Sequence, residues 1–520
     1  MNDPVVIWSW VFLVGFIGLF LAMGFVGMKR TKDADDFAVA RSSYGPWVLG
    51  LAFTATVASG STFLGMPGLA YSKGFASLWY PIVYPLGIYL GMLMAAKLVK
   101  TMGDKFGNRT IPEFVGQRYD SDFLRVGLTI VSFLLLFYIT AQLVAAATLF
   151  QVMMGLPYIP ALIFTAVVLL VYISMGGSHA DILTDAVQGL LMLVIAVAVA
   201  FMFFTGVGID GGAGAVNQQI ASQNDTAGWN TLFLDGDPIY GSAWLIFLMF
   251  VAHLPFGILP HLGNKFMALS SANQMRKFAM FSIVAGGILP MMALGGLLGA
   301  ATIDQEIRPD EVIPVLFTEL FPPIVAAFLA VAIISAVLST SDGLVVSVSQ
   351  LLANDLYRKT FARDENVEEV DRKALLIGRI GVALALIVGV IIAWNPPEFL
   401  AILLWIGVGG IVSGLAGPVL IGSLWRRATK AAAISSFLVG VGCYAVIYLG
   451  FMPENPFGSA GYSVIIASIV MVVVTPLTKP MSPEFVAEVF GDPSPSKNPA
   501  PTYASTALDD QEKGRGATSV

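Results

Sequence analysis

Apolar runs of ~20 residues recur along the chain, each long enough to cross the hydrocarbon core of a bilayer as a helix. Thirteen are placed, at roughly 5–27, 45–72, 75–99, 123–153, 158–175, 180–206, 240–264, 274–302, 322–354, 372–394, 397–423, 429–450 and 459–478, numbered here as spans one to thirteen. Within lipid an unpaired backbone group is so costly that only helices and closed barrels cross. The ten-residue alternation of a barrel strand is absent. That leaves an all-α polytopic membrane protein. Composition agrees: of 520 residues 57% are hydrophobic and 12% charged, about half the charge share of a soluble domain. The first run, Val5 to Val26, is too long for a signal-peptide core and has no basic region ahead of it, so it reads as a retained helix. Cys443, the only cysteine, excludes an intrachain disulfide.

Lys and Arg are retained on the cytoplasmic side. With the amino terminus outside and the carboxyl terminus cytoplasmic, all but Lys73 and Arg308 of the 28 Lys and Arg fall inside. One missed span would scramble that asymmetry. The outer connections are acidic instead: 207–239 has Asp210, Asp225, Asp235 and Asp237 and no basic residue, and 303–321 has Arg308 alone. The tail, rich in Pro, Ser and charge, reads as disordered. A multi-pass protein of the plasma (inner) membrane is expected, with the lipid bilayer as its surroundings and no nucleic acid as partner.

Two spans carry helix-breaking chemistry at their centres. In span two, Thr54 to Ser61 crowds small and hydroxyl residues ahead of Pro67-Gly68. Span seven has Pro255 and Pro260 within six residues, each removing a backbone donor. Irregular backbone at membrane depth is tolerated where it lines a cavity or is buried in protein. The two spans stand five apart, the relation expected of first helices in inverted five-helix repeats whose breaks form a mid-membrane site. Freed carbonyls are hard oxygen ligands and suit a hard cation such as Na+. The three histidines, His179, His253 and His261, are scattered and form no metal cluster.

These residues resemble the sodium/solute symporter family, from about Asp35 to Leu477. Three stretches carry the likeness. The first is Asp36-Phe37, Gly45, Ala55 to Gly60 and Gly65 to Gly68; the second is Gly176-Gly177, Ala180 to Asp185 and Gln188; the third is Ala336 to Thr340 with Asn354 to Tyr357. The resemblance implies two inverted five-helix (LeuT-like) repeats at 45–206 and 240–423. Around them lie an added helix and loop at 1–44, an outer loop at 207–239, two further helices at 424–480 and a disordered tail at 481–520. It also implies a sodium site made of the carbonyls of Ala55, Ala58 and Ala336 and the hydroxyls of Ser339 and Thr340. Ala336, Ser339 and Thr340 stand at i, i+3 and i+4, one face of a helix. Their alternative role is back-bonding to a carbonyl one turn earlier.

Asp185 matches an acidic position that some members use for a second sodium. Asp342 departs from the family, where a small or hydroxyl residue is common; an aspartate inside a span is a functional hypothesis by default, for a cation or a proton. The substrate pocket implied by the family draws on Thr62, Trp79, Tyr80, Phe256 and Trp405, with His261 in the Leu259-Pro260-His261 stretch and Gln142 deep in span four. That stretch and the Gly176-Gly177 region look most like the branch carrying pantothenate and short monocarboxylates. A half-helix amino terminus at either break could receive a carboxylate. The expected function is sodium-coupled import of a small organic solute, with a carboxylate favoured and an amino acid or sugar as the alternative. Na+ is the coupling ion, and no other cofactor is expected. Against a channel, no pore loops or charge rings repeat; against an enzyme, no nucleophile, base or metal ligands converge. A transporter-like sensor would need more than the short tail.

Overall fold

The computed structural model describes residues 3–31, 34–207, 209, 211–223, 230–362, 367–396 and 399–491. Among them regular structure is helical throughout, apart from an isolated parallel bridge between Tyr44 and Leu269. Ten described helices are long and apolar enough to cross a membrane, or eleven with the bent pair Ala243–Ile258 and Pro260–Ala268 as one. The shorter apolar helices Pro46–Val57 and Tyr158–Val171 account for the remaining two of the thirteen expected spans. Polar residues start the helices where they leave lipid-facing sequence: Asp3, Ser121, Ser242, Thr429 and Asn455 each accept a backbone N–H from the first turn. Between spans five and six the helix Tyr158–Thr205 turns at Gly177, whose φ of 61° only glycine adopts freely.

Both expected breaks are present. Span two consists of Pro46–Val57, a π-helical turn Ser61–Gly65 and the helix Met66–Lys73, interrupted at Ala58 with ψ 93°. Span seven consists of Ala243–His253, a 3-10 turn Pro255–Ile258 and Pro260–Ala268, bent by 48°. Pro260 pushes the residue before it out of the helical region, and Leu259 has ψ 152°. The interior gathers behind these breaks. The apolar windows of spans nine and eleven are 83% and 89% buried, whereas span one is 17% buried and lies at the periphery.

Two segments read as irregular are partly helical. The outer connection 207–239 includes the helix Gly212–Gln223, and its Asp237 pairs with Lys73 at 2.9 Å. The tail read as disordered from 481 forms the helix Pro483–Phe490, capped by Ser482 and closed by Gly491 at φ 74°. Phe490 lies 5.0 Å from the guanidinium of Arg118 and 5.0 Å from that of Arg426, which docks this helix on the rest of the protein. The proline-rich stretch from 492 onward, with Asp210 and Asp225, lies outside the described residues.

Candidate functional site

The break in span two is built from hydrogen bonds that the helix gives up. Ala58 N–H still closes onto the Thr54 carbonyl at 2.9 Å. The next donors are diverted: Gly60 N–H donates to Gln142 Oε1 at 2.9 Å, Ser61 N–H to Ser59 Oγ at 3.2 Å, and Thr62 N–H to the Ser59 carbonyl at 2.8 Å. Each diversion deprives a carbonyl four residues earlier of its ladder partner, namely Thr56, Val57 and Ala58. The Tyr84 hydroxyl takes the Val57 carbonyl at 2.8 Å. Glycine is needed at position 60, because a Cβ there would come within 2.6 Å of Ala145 Cβ and 3.3 Å of Val337 Cγ2. Ala55, in the last turn before the break, is buried against Gly189 of span six.

Span nine supplies the opposing wall. Val337 packs beside Gly60, and a Cβ at Gly343 would lie 3.5 Å from Thr56 Cγ2. Positions 337, 340 and 343 share one face, so Thr340 stands against the break between those two contacts. Its hydroxyl is buried and meets no hydrogen-bond partner among the described residues. Ser339 donates to the Ala336 carbonyl at 2.8 Å, the back-bond that serine makes in membrane helices. That bond uses the hydroxyl proton and leaves oxygen lone pairs available. Leaving a buried hydroxyl unpaired costs roughly 1–3 kcal/mol. A dehydrated hard cation takes several oxygen ligands, of the kind that backbone carbonyls and hydroxyls supply.

Most of the residues expected to meet the solute come together beside the breaks. Trp405 Nε1 donates to the Tyr80 hydroxyl at 3.2 Å, and the Trp405 ring lies 5.7 Å from Phe256 at the span-seven break. Thr62 and Tyr84 have their hydroxyls 3.4 Å apart. His261 is buried edge-on to Tyr138, with centroids 5.5 Å apart. Gln142 braces the span-two break as described. Trp79 does not join them: its indole N–H donates to the Leu232 carbonyl at 2.9 Å and its ring stacks on Phe233, so the outer connection occupies it. Tyr84, Tyr138 and His253 stand beside the same group without a signal in the sequence. His253 lies 4.5 Å from Trp405 and Tyr138 lies 6.3 Å from Phe256. A buried aromatic in a membrane helix carries no local mark that separates pocket from packing.

The second acidic position has a different outcome. Asp185 is fully buried, and its Oδ2 accepts from Lys265 Nζ at 2.6 Å and from the Thr56 hydroxyl at 2.8 Å. Lys265 also donates to Asp181 Oδ2 at 2.6 Å. Asp342 is buried in span nine, one residue before Gly343, which faces Thr56 and Asp181. The carboxylate partners of Lys265 sit on another span and are not readable from spacing.

Known proteins share both the sequence pattern and the fold. The profile of the sodium:solute symporter family matches residues 37–440. The high-affinity proline transporter PutP of Bacillus subtilis is 30% identical over 439 residues, covering 81% of this chain and 88% of that protein. The sodium/proline symporter of Staphylococcus aureus (strain JH9) is 29% identical over 490 residues, covering 90% of this chain and 91% of its own. Among solved structures, a Na+-coupled sialic acid symporter in a substrate-bound outward-open state superposes with a TM-score of 0.74 at 18% identity, over 91% of this chain and 98% of that one. The nucleobase-cation-symport-1 family transporter Mhp1 in a closed conformation gives 0.57 at 14% identity, over 88% and 99%. The two structures establish the fold, two inverted five-helix repeats, and the relatives are transporters rather than enzymes.

Proposed function

The chain belongs to the sodium:solute symporter family, and from that premise we propose that it couples Na+ entry to import of a small amino acid of proline-like size. The observation that supports the sodium assignment is the buried Thr340 hydroxyl, without a hydrogen-bond partner among the described residues, on the stretch of span nine that packs on the span-two break through Val337 and Gly343. Ala55, Ala58, Ala336, Ser339 and Thr340 are the proposed ligands. Na+ is cargo here: its arrival joins span two to span nine, and its departure frees them to separate. Alternating access then follows from one rigid group of helices rocking against another around the central site. The amino terminus is assigned to the outside by the placement of Lys and Arg.

For the solute, the named relatives that carry proline support the amino-acid alternative over the pantothenate and monocarboxylate branch. The wall of Tyr80, Phe256 and Trp405 suits a compact apolar ring. The test is uptake into proteoliposomes under an inward Na+ gradient, with labelled proline, pantothenate and a short monocarboxylate in parallel. Sodium-dependent accumulation of proline alone is the expected result. Accumulation of pantothenate instead would restore the carboxylate branch.

A further inference from the structure

Span six projects Asp181 and Asp185 one turn apart, on one face. Both reach the same ammonium, Lys265 Nζ, at 2.6 Å each. The side chains of Lys265 and Asp185 are 3% and 0% exposed. Lys265 ends the inner half of span seven, and Asp185 is held in turn by the Thr56 hydroxyl of span two at 2.8 Å. Thr56 follows Ala55 directly, so one charged cluster ties both broken spans to span six beside the proposed sodium position. A buried carboxylate beside a second, partly buried one does not stay ionised without a cation. Here the cation is part of the chain.

Oδ1 of Asp181 and Oδ1 of Asp185 meet no hydrogen-bond partner among the described residues. They are hard oxygens that a metal cation would take up if the ammonium were gone. With the ammonium in place, a second monovalent cation would sit within a few ångströms of a like charge in a poorly screened interior. A small cavity lined by Ser178, Asp181, His261, Asn264, Lys265 and Ser347 reaches the Asp181 end of this cluster.

We propose that the Lys265 ammonium is a built-in cation that fills the position a second transported sodium would take, so that the chain carries one Na+ per solute. This rests on the sodium-symport assignment above. Lys265 is a positioning residue, acting through Asp185 and Thr56 on span two, and its charge sets the stoichiometry.

The test counts bound radiolabelled Na+ on the purified full-length protein and, in proteoliposomes, the sodium cooperativity of uptake. Wild type should bind one Na+ per chain with a Hill coefficient near one. Lys265→Met should bind two, with a coefficient above one and a steeper demand for sodium. Adding Asp185→Asn to Lys265→Met removes one of the two carboxylates and should return the count to one. Loss of packing alone would lower the amount of active protein and would not raise the number of ions bound. Two sodium ions on wild type, or one on folded Lys265→Met, overturns the inference. A double variant that still binds two overturns it as well, and serves if Lys265→Met alone fails to fold. Absence of sodium binding and of sodium-driven uptake in wild type would defeat the symport assignment itself, a distinguishable result.

Discussion

Ser339 and Thr340 are neighbours whose hydroxyls do different things. Ser339 donates to the Ala336 carbonyl, whereas Thr340 has no partner among the described residues. Replacing either by alanine removes one of the proposed sodium ligands without harming the helix. Losing such a ligand should cost roughly 1–3 kcal/mol, about a tenfold to hundredfold rise in the sodium concentration for half-maximal uptake. Thr340→Ala should stand at the upper end, because no described residue uses its oxygen. Unchanged sodium dependence in both variants, at normal protein levels, would sink the site. Gln142→Leu strands the Gly60 N–H and should lower both uptake and thermal stability. Their legibility differs for a physical reason. The spacing of Ala336, Ser339 and Thr340 is helical arithmetic, so it can be read along the chain. Tyr84 acts on the Val57 carbonyl and Trp79 on the Leu232 carbonyl, choices made between elements.

At the scale of elements, the breaks in spans two and seven were legible because proline, glycine and small hydroxyl residues act locally. The helix Pro483–Phe490 was not, although Ser482 and Gly491 are ordinary start and stop residues, because the polar composition around it masked eight residues of helix. Its docking makes a prediction. Ending the chain before Pro483 removes the Phe490 ring from Arg118 and Arg426, contacts worth ~0.5–1 kcal/mol each, and should lower the unfolding temperature in detergent by about 1–2 °C. A second contact, in the connection between spans one and two, depends on pH. Burial raises the Asp35 carboxyl, but its pairs with Arg41 and Arg109 outweigh that and hold it below its ordinary value. A depressed carboxyl contributes stability that is present above its unfolded pKa and is lost as pH falls through the folded one. Thermal unfolding followed from about pH 6 to about pH 3 should therefore show an acid loss, spanning the ordinary aspartate value near ~3.9. Asp35→Asn should flatten that limb; an identical acid profile would remove the pair from the account.

For the whole molecule, charge balance separates the two solute classes. One Na+ with a zwitterionic amino acid moves a net positive charge inward, gaining about 2.3 kcal/mol per 100 mV. One Na+ with a monovalent carboxylate moves none. Solute-evoked inward current in voltage-clamped membranes is thus expected for proline, and electroneutral uptake would argue for the carboxylate. Span number, helix breaks and the face shared by Ser339 and Thr340 were determined by the sequence alone, since hydrophobic length, proline chemistry and helical period are properties of contiguous residues. Only the tertiary structure decided which polar groups meet. Lys265 finds Asp181 and Asp185 from 84 and 80 residues away. Inside a bilayer every buried polar group must find a partner, yet its type states only the need. Which partner answers is set by how the broken spans pack.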